Sequence, residues 1–486
     1  MLLRELLAGV DVVAVHAPLD MEIPAVCHSS RDVTPGAMFV AIAGYAADGH
    51  NYIPAAVEAG AGVVVCEWKQ PKDAPWIQVR DSRRALARLG ANWYGRPAES
   101  MKIVGVTGTN GKTSITYLLK AVLERAVQAK VGLIGTICNM VGDERLETER
   151  TTPESFELQG LLARMRDAGC THVVMECSSH ALFLHRVDEI PFAVGAFTNL
   201  TEDHLDFHKT MEEYGKAKAI LFRHCAEGVF NLDDPSAQTM MEQAACKCFT
   251  VGCTERAELR AELRAEHIDL AADHVAMDVV EGTQRAHLRV GIPGRFTVSN
   301  SLVTLGIARK LGIGLDEAVR ALSGAKGVKG RIEVVPTPGR DYTVLIDYAH
   351  TPDGLKNVLR SVRDFSRGRI ILVFGCGGDR DREKRPKMGA IAAEYADLVI
   401  VTSDNPRTED PNAIIREILA GMEGTKTPLL VEENRRKAIR LALQQGQKDD
   451  MIILAGKGHE TYQILGTEKT HLDEREEVAA ALCETE

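Results

Sequence analysis

The chain has 486 residues, too many for a single hydrophobic core, and a soft length prior gives about three domains. Hydrophobic residues make up 45% and charged residues 26%, the balance of an ordinary soluble globular protein rather than a disordered or membrane-embedded one. A net charge of −10 argues against a general binder of nucleic acids or membrane surfaces, and no apolar run reaches membrane-spanning length. No basic segment followed by a long apolar one opens the chain, so no secretion signal is expected and a cytoplasmic location is. The eleven cysteines are scattered and mostly in apolar contexts, which suits a reducing compartment. Cys246, Cys248 and Cys253 come closest to a cluster but lack a fourth ligand at zinc spacing.

In chain order, residues 1–98 read as a first unit. It has short buried strands at 37–42 and 62–66, helices at 53–59 and 84–94, and a Gly95-Arg96-Pro97 linker. Residues 99–330 read as a second unit. Strands at 102–107, 131–136, 172–178 and 193–198 alternate with helices at 112–127 and 155–168, which predicts a mainly parallel sheet. The charge-rich stretch 254–267 reads as a solvated excursion, 287–294 as a strand and turn, and 300–311 and 315–322 as two short helices. Residues 331–486 form a third unit with four apolar strands at 344–347, 370–374, 398–401 and 451–454, again α/β and parallel. The fold class is therefore α/β in three domains: a small N-terminal domain, a central P-loop-type domain and a C-terminal Rossmann-like domain.

The most informative segment follows the first strand of the second unit. Gly105, Gly108 and Gly111 at intervals of three, then Lys112-Thr113-Ser114, form a glycine-rich turn opening a helix. Such a turn lets backbone N–H groups approach an anion, while a helix N-terminus, a lysine and a hydroxyl serve phosphates and Mg²⁺. The common P-loop spacing would need glycine at position 106, and Val106 stands there. Polar segments follow other strands at the same kind of position, and in open α/β sheets ligands sit beyond the carboxyl ends of strands. Glu176 ends one strand, and Asn199 to His208 follow another. His204 and His208 are four apart, a spacing shared by ligand pairs and ordinary surface pairs. Lys218 lies on an amphipathic helix and by spacing alone reads as a solvated lysine. In the third unit, polar loops at 347–353, 375–382, 403–407 and 456–460 all carry Asp or Glu, and those at 375–382 and 403–407 add Arg, a combination that suits a zwitterionic ligand.

These segments together resemble the Mur ligases, ATP-dependent amide-forming enzymes of peptidoglycan synthesis. The resemblance rests on Thr107 to Thr113, Glu-Cys-Ser-Ser-His at 176–180, Asn199 to Asp206 and Asp347 to Asp353, in matching order along essentially the whole chain. The branch it looks like adds the third residue of the stem peptide to UDP-N-acetylmuramoyl-L-alanyl-D-glutamate. Asp404-Asn405-Pro406-Arg407 is similar to the version that takes meso-2,6-diaminopimelate, whose second carboxylate Arg407 can pair with. The alternatives are the L-lysine-adding branch and a folylpolyglutamate-type synthase.

The resemblance implies a set of roles. Gly108, Thr109, Asn110, Gly111, Lys112, Thr113 and Ser114 would hold ATP, with Asn300, Arg331, Asp347 and His350 contacting its nucleoside or phosphates. Thr113, Glu176, His204 and Lys218 would serve Mg²⁺, Lys218 as a carbamate formed from CO₂. Lys112, Glu176, His204 and Lys218 would be catalytic. Ser30, Tyr45, Ala46 and Ala47 would hold the uridine nucleotide, and Thr151, Thr152, Ser178 and Arg186 the muramoyl dipeptide. Arg380, Asp404, Asn405, Pro406, Arg407, Gly456 and Glu460 would bind diaminopimelate. Leu184 stands where family members often carry Gln, two residues before the arginine. The reaction implied runs through an acyl phosphate on the D-glutamate γ-carboxylate. Neither nucleic acid nor membrane is an expected partner, and a monomer is expected.

Overall fold

The computed structural model describes all residues except 45–46, 69–70, 149, 254–260, 326 and 485–486. The chain divides into two compact units, residues 1–251 with 306–313, and residues 252–305 with 314–486. Among the described residues no helix is long and apolar enough to cross a membrane.

The first unit carries two sheets. The N-terminal one has five strands, β1 (Val12–His16), β2 (Val26–Cys27), β3 (Met38–Val40), β4 (Val63–Cys66) and β5 (Trp76–Val79), in the order β1-β5-β4-β3-β2. All pairs are parallel except β1 with β5. Helix Ser82–Trp93 starts at Asp81, whose carboxylate accepts from the backbone N–H of Arg83 and Arg84, and turns Leu86 and Leu89 into the core beneath β3 and β4.

The larger sheet begins with β6 (Lys102–Thr107), β7 (Val131–Ile134), β8 (Asn139–Val141) and β9 (Glu144–Leu146). It continues with β10 (His172–Glu176), β11 (Phe192–Phe197), β12 (Cys225–Asn231) and β13 (Lys247–Gly252). Their order is β13-β12-β11-β6-β10-β7-β8-β9. From β13 to β7 every pairing is parallel, which explains the near-continuous apolar runs of β6 and β10: both faces of these strands are covered. The register sets Glu176 beside Val106 and Phe197 beside Thr107, so the carboxyl ends of β10, β6 and β11 form one edge.

The second unit opens with an antiparallel meander of β14 (Leu263–Leu270), β15 (Val275–Glu281) and β16 (Gln284–Val290). The reading of 254–267 as a solvated excursion fails for its second half. Residues 254–260 lie outside the described residues, but Leu263 and Ala265 point inward from a strand while Arg264 and Glu266 face out, a period-two pattern hidden by the density of charge. The helix expected at 300–311 spans Arg295–Lys310, because Val298 extends the apolar face by a further turn.

The C-terminal sheet contains β17 (Glu333–Val335), β18 (Thr343–Asp347), β19 (Ile370–Phe374), β20 (Leu398–Val401), β21 (Leu429–Val431) and β22 (Met451–Ala455). Its order is β17-β18-β22-β19-β20-β21, all parallel except β17. A short hairpin, β23 (Tyr462–Leu465) with β24 (Glu468–His471), follows. Asp347 aligns with Ala455 and Phe374 with Val401, so the loops after β18, β22, β19 and β20 leave the same edge. Both larger sheets are mixed α/β and dominated by parallel pairs, as the sequence predicts.

Candidate active site

The glycine-rich turn leaves β6 at its carboxyl end. Gly108 takes φ +141°, and a Cβ there would collide with the Thr198 hydroxyl, so only glycine lets the turn lie against the end of β11. Asn199 fixes the turn from the other side. Its carbonyl accepts from the Thr109 N–H and its side-chain oxygen from the Asn110 N–H, both at 2.9 Å. Thr198 Oγ1 donates to the Asn110 carbonyl at 2.7 Å. Lys112, at the start of helix Lys112–Ala126, curls back so that Nζ donates to the carbonyls of Gly108 and Thr109 at 2.8 Å each.

Three predicted metal residues meet this loop. Thr113 Oγ1 donates to Glu176 Oε1 at 3.0 Å. Glu176 is buried and also accepts from the Thr136 N–H at 2.9 Å and hydroxyl at 3.1 Å, which aims its carboxylate at the mouth of the loop. Lys218, on helix Met211–Ala219, is 1% exposed, and its Nζ donates to the Gly108 carbonyl at 2.8 Å. Its ammonium lies 4.2 Å from the centre of the Tyr214 ring. Burial and the neighbouring Lys112 hold the Lys218 amine well below the usual lysine range. The solvated reading of Lys218 is therefore wrong: long-range packing, not helical spacing, puts it inside.

His204 adopts φ +53° and packs edge-on against His180, ring centres 4.9 Å apart. Burial, with Lys112 and Lys218 adding to it, lowers its basicity and favours the neutral imidazole that a metal ligand needs. His208 instead points into the protein, where Nε2 meets Ser179 Oγ at 2.9 Å. Burial, then His180 and Lys218, depress His208 from 6.5 to about 4. The unfolded chain takes up this proton below pH 6.5, whereas the folded chain resists until about pH 4, so stability falls as pH drops through that window. His208→Gln flattens this slope, as urea midpoints taken above and within the window will register.

The donor set suits Mg²⁺: one hydroxyl, one carboxylate and open space for phosphate oxygens and water. Among the described residues no three His, Cys, Asp or Glu side chains converge as a site for a transition metal.

Of the remaining predicted residues of this unit, Ser30 and Ala47 line a pocket of about 310 Å³, together with Ser29, Arg31 and Arg83 among others. Ser30 and Ala47 thus share one cavity, while Tyr45 and Ala46 lie outside the described residues. Thr151 Oγ1 meets Thr136 Oγ1 at 3.0 Å, and Thr152 Oγ1 donates to the Glu176 carbonyl at 2.8 Å. Ser178 caps helix Ser179–Phe183. Arg186 Nη1 donates to the Thr152 carbonyl at 3.0 Å. Leu184 closes the same short helix with its backbone N–H. Thr136 was not singled out by sequence; its place directly after a strand that neighbours β10 is the signal that could have found it.

In the second unit, Asp347 is buried, accepting from the N–H groups of Ile332 and Ala349 at 2.8 Å each, and burial raises its pKa. The Arg331 guanidinium lies 5.3 Å from the centre of the Tyr348 ring, and the His350 ring lies 4.5 Å from it. Asp347, Arg331 and His350 are therefore gathered at the end of β18. Asn300 is buried on helix Arg295–Lys310, its carbonyl accepting from Thr304 Oγ1 at 2.8 Å.

The loops after β19 and β20 are stitched together. The Gly378 N–H donates to the Asn405 carbonyl at 2.9 Å, and Arg407 Nη1 donates to the Gly378 carbonyl at 2.8 Å. A Cβ on Gly378 would strike the Pro406 carbonyl. Asn405 Nδ2 donates to Glu460 Oε2 at 3.0 Å, joining a third loop to the first two. Lys457, not among the predicted residues, is fully buried at the centre. Nζ donates to Asn405 Oδ1 at 3.0 Å and lies 3.1 Å from Asp404 and 3.3 Å from Glu460. Burial alone would raise Asp404, but Lys457 and Arg435 carry it below the usual carboxylate range. Gly456, at φ +112°, lets the chain turn beside the Asp404 carboxylate. Arg380 lies exposed on the same loop as Gly378, donating to the Asp379 carbonyl at 3.0 Å.

Three family profiles match in order: "Mur ligase family, catalytic domain" over residues 22–94, "Mur ligase middle domain" over 106–308 and "Mur ligase, glutamate ligase domain" over 330–458. A protein of Caldanaerobacter subterraneus subsp. tengcongensis, named UDP-N-acetylmuramoyl-L-alanyl-D-glutamate–2,6-diaminopimelate ligase, is 46% identical over 490 residues, covering 100% of both chains. A Clostridium acetobutylicum protein of the same name, numbered 1, is 44% identical, covering 99% of this chain and 98% of its own. A solved structure under that name superimposes with a TM-score of 0.74 at 29% identity, over 100% of this chain and 99% of the other. A MurF ligase of Thermotoga maritima in complex with ADP shares the fold, with a TM-score of 0.61 at 19% identity over 94% and 96% of the two chains. On this full-length similarity, the chain belongs to the Mur ligase family.

Proposed function

We propose that this enzyme joins meso-2,6-diaminopimelate to the D-glutamate γ-carboxylate of UDP-N-acetylmuramoyl-L-alanyl-D-glutamate at the expense of ATP, in peptidoglycan precursor synthesis. The observation that carries this reading is Arg407 held in a loop beside Asp404 and Asn405, matching a ligand with two carboxylates and an ammonium. We read three domains, 1–98 for the uridine substrate, 99–330 for ATP and 331–486 for the amino acid. Lys112 and the N–H groups of the turn neutralise and orient the phosphates, so that the γ-carboxylate meets phosphorus rather than a wall of charge. Thr113, Glu176, His204 and Lys218 would hold Mg²⁺, which would supply Lewis-acid charge neutralisation. Lys218 fits that set only if it carries the opposite charge, and we assign it as a carbamate. Asp404 and Glu460 accept from the incoming ammonium, and Arg407 with Arg380 pairs its carboxylates.

Phosphate release tests the reading. With ATP and the UDP-muramoyl dipeptide supplied, diaminopimelate drives release and lysine drives little. Equal rates with lysine, or release driven only by glutamate on a folate substrate, would overturn it.

A further inference from the structure

At the mouth of the pocket that holds Ser30, three guanidinium groups converge on one carboxylate. Glu154 Oε1 accepts from Arg150 at 2.8 Å and lies 2.7 Å from Arg186, and Oε2 lies 3.4 Å from Arg83. The side chains of Glu154, Arg186 and Arg83 are only 13–16% exposed, so this is a built cluster and not a chance surface pair. Three positive charges face one negative charge, so these four side chains together carry a charge of +2. Arg186 Nε is buried with no partner. Burial lowers the Arg186 pKa; Glu154 works against this, while Arg150 and Arg83 push in the same direction as burial.

A surplus of two positive charges beside a cavity of about 310 Å³ fits an anion of charge −2 with forked oxygens. The bridge of a nucleoside diphosphate sugar has that charge and shape. We propose that Arg83 and Arg150 bind the diphosphate of the nucleotide substrate, and that Glu154 is a built-in surrogate anion that keeps them aimed until the substrate displaces it. This rests on the reading of the substrate as a uridine diphosphate sugar. Arg186, anchored to the Thr152 carbonyl, stays behind to serve the peptide end.

The probes are UDP and uridine, titrated calorimetrically into the full-length enzyme. Arg83→Ala and Arg150→Ala each weaken UDP by about tenfold or more, the scale of one charge-assisted hydrogen bond, and leave uridine unchanged. Glu154→Gln keeps the shape but removes the competing charge, so UDP binds several-fold tighter. The cradle is overturned if UDP affinity is insensitive to both arginines, if uridine weakens in step with UDP, or if Glu154→Gln weakens UDP as the arginine variants do. Arginine-dependent UDP binding by an enzyme that forms no amide would sink the proposed function and keep the cradle. Amide formation with arginine-independent UDP binding would do the reverse.

Discussion

Arg407→Ala lowers kcat/KM for meso-diaminopimelate by about a hundredfold and leaves the feeble use of lysine unchanged. The magnitude follows from stranding a carboxylate in a site built to pair it, which costs roughly 2–4 kcal/mol. The variant is clean because the Arg407 backbone is held independently of its side chain. Its N–H donates to the Ile464 carbonyl at 3.2 Å, and its carbonyl accepts from the Gly466 N–H at 2.8 Å. The residue sits at φ +52°, a strain that alanine shares with arginine, so this backbone keeps its conformation while the fork, and with it the Nη1 bond to the Gly378 carbonyl, is lost. Arg407→Lys falls between, since a point charge replaces a fork. Steady-state phosphate release across both amino acids reads the result. A variant that loses lysine and diaminopimelate use in proportion would show that Arg407 supports the loop rather than choosing the substrate.

The legibility of this chain in its sequence divides along physical lines. β6, the glycine turn and the helix opening at Lys112 are local features: an apolar run, a turn that only glycine can make and a helix start, all within a dozen residues. Asp404 to Arg407 is equally local. What escaped is set by long-range packing. Lys457 is buried because Asp404, Asn405 and Glu460 arrive from two loops, and Asn405 lies 52 positions away in sequence. Glu154 gains its importance from Arg83, 71 positions earlier. β14 was hidden because charged residues on its outer face dominate the composition of a strand whose inner face is apolar. β12, opening with Cys225-Ala226-Glu227, carries too little apolar signal at its start to announce a strand. Lys218 shows the same limit most sharply, since nothing in its helix distinguishes it from Lys216, which is solvent-facing and paired with Glu212 and Glu213.

Lys218→Ala and Lys218→Arg both abolish most ligation, by about a thousandfold, and the arginine variant is the decisive one. In the folded chain the Lys218 ammonium and the Lys112 ammonium donate to the same carbonyl, that of Gly108. Two cations crowding the phosphate turn attract nucleotide but repel the divalent ion it must bring. Burial and Lys112 make the neutral amine accessible, and only the neutral amine attacks CO₂. On the proposed assignment, the amine nitrogen would add to the CO₂ carbon and give up a proton, so a negative charge would replace a positive one, repulsion of Lys112 would become attraction and an oxygen ligand would be offered to Mg²⁺. Because the free amine is the reactive form, occupancy at fixed dissolved CO₂ rises with pH. Arginine keeps the charge of the unmodified lysine but forms no carbamate. If Lys218→Arg retained activity, the ammonium would be the working species and the carbamate assignment would fall. A ¹³C-bicarbonate-labelled enzyme gives a carbamate resonance that both variants lose, and an intact mass about 44 Da heavier accompanies it.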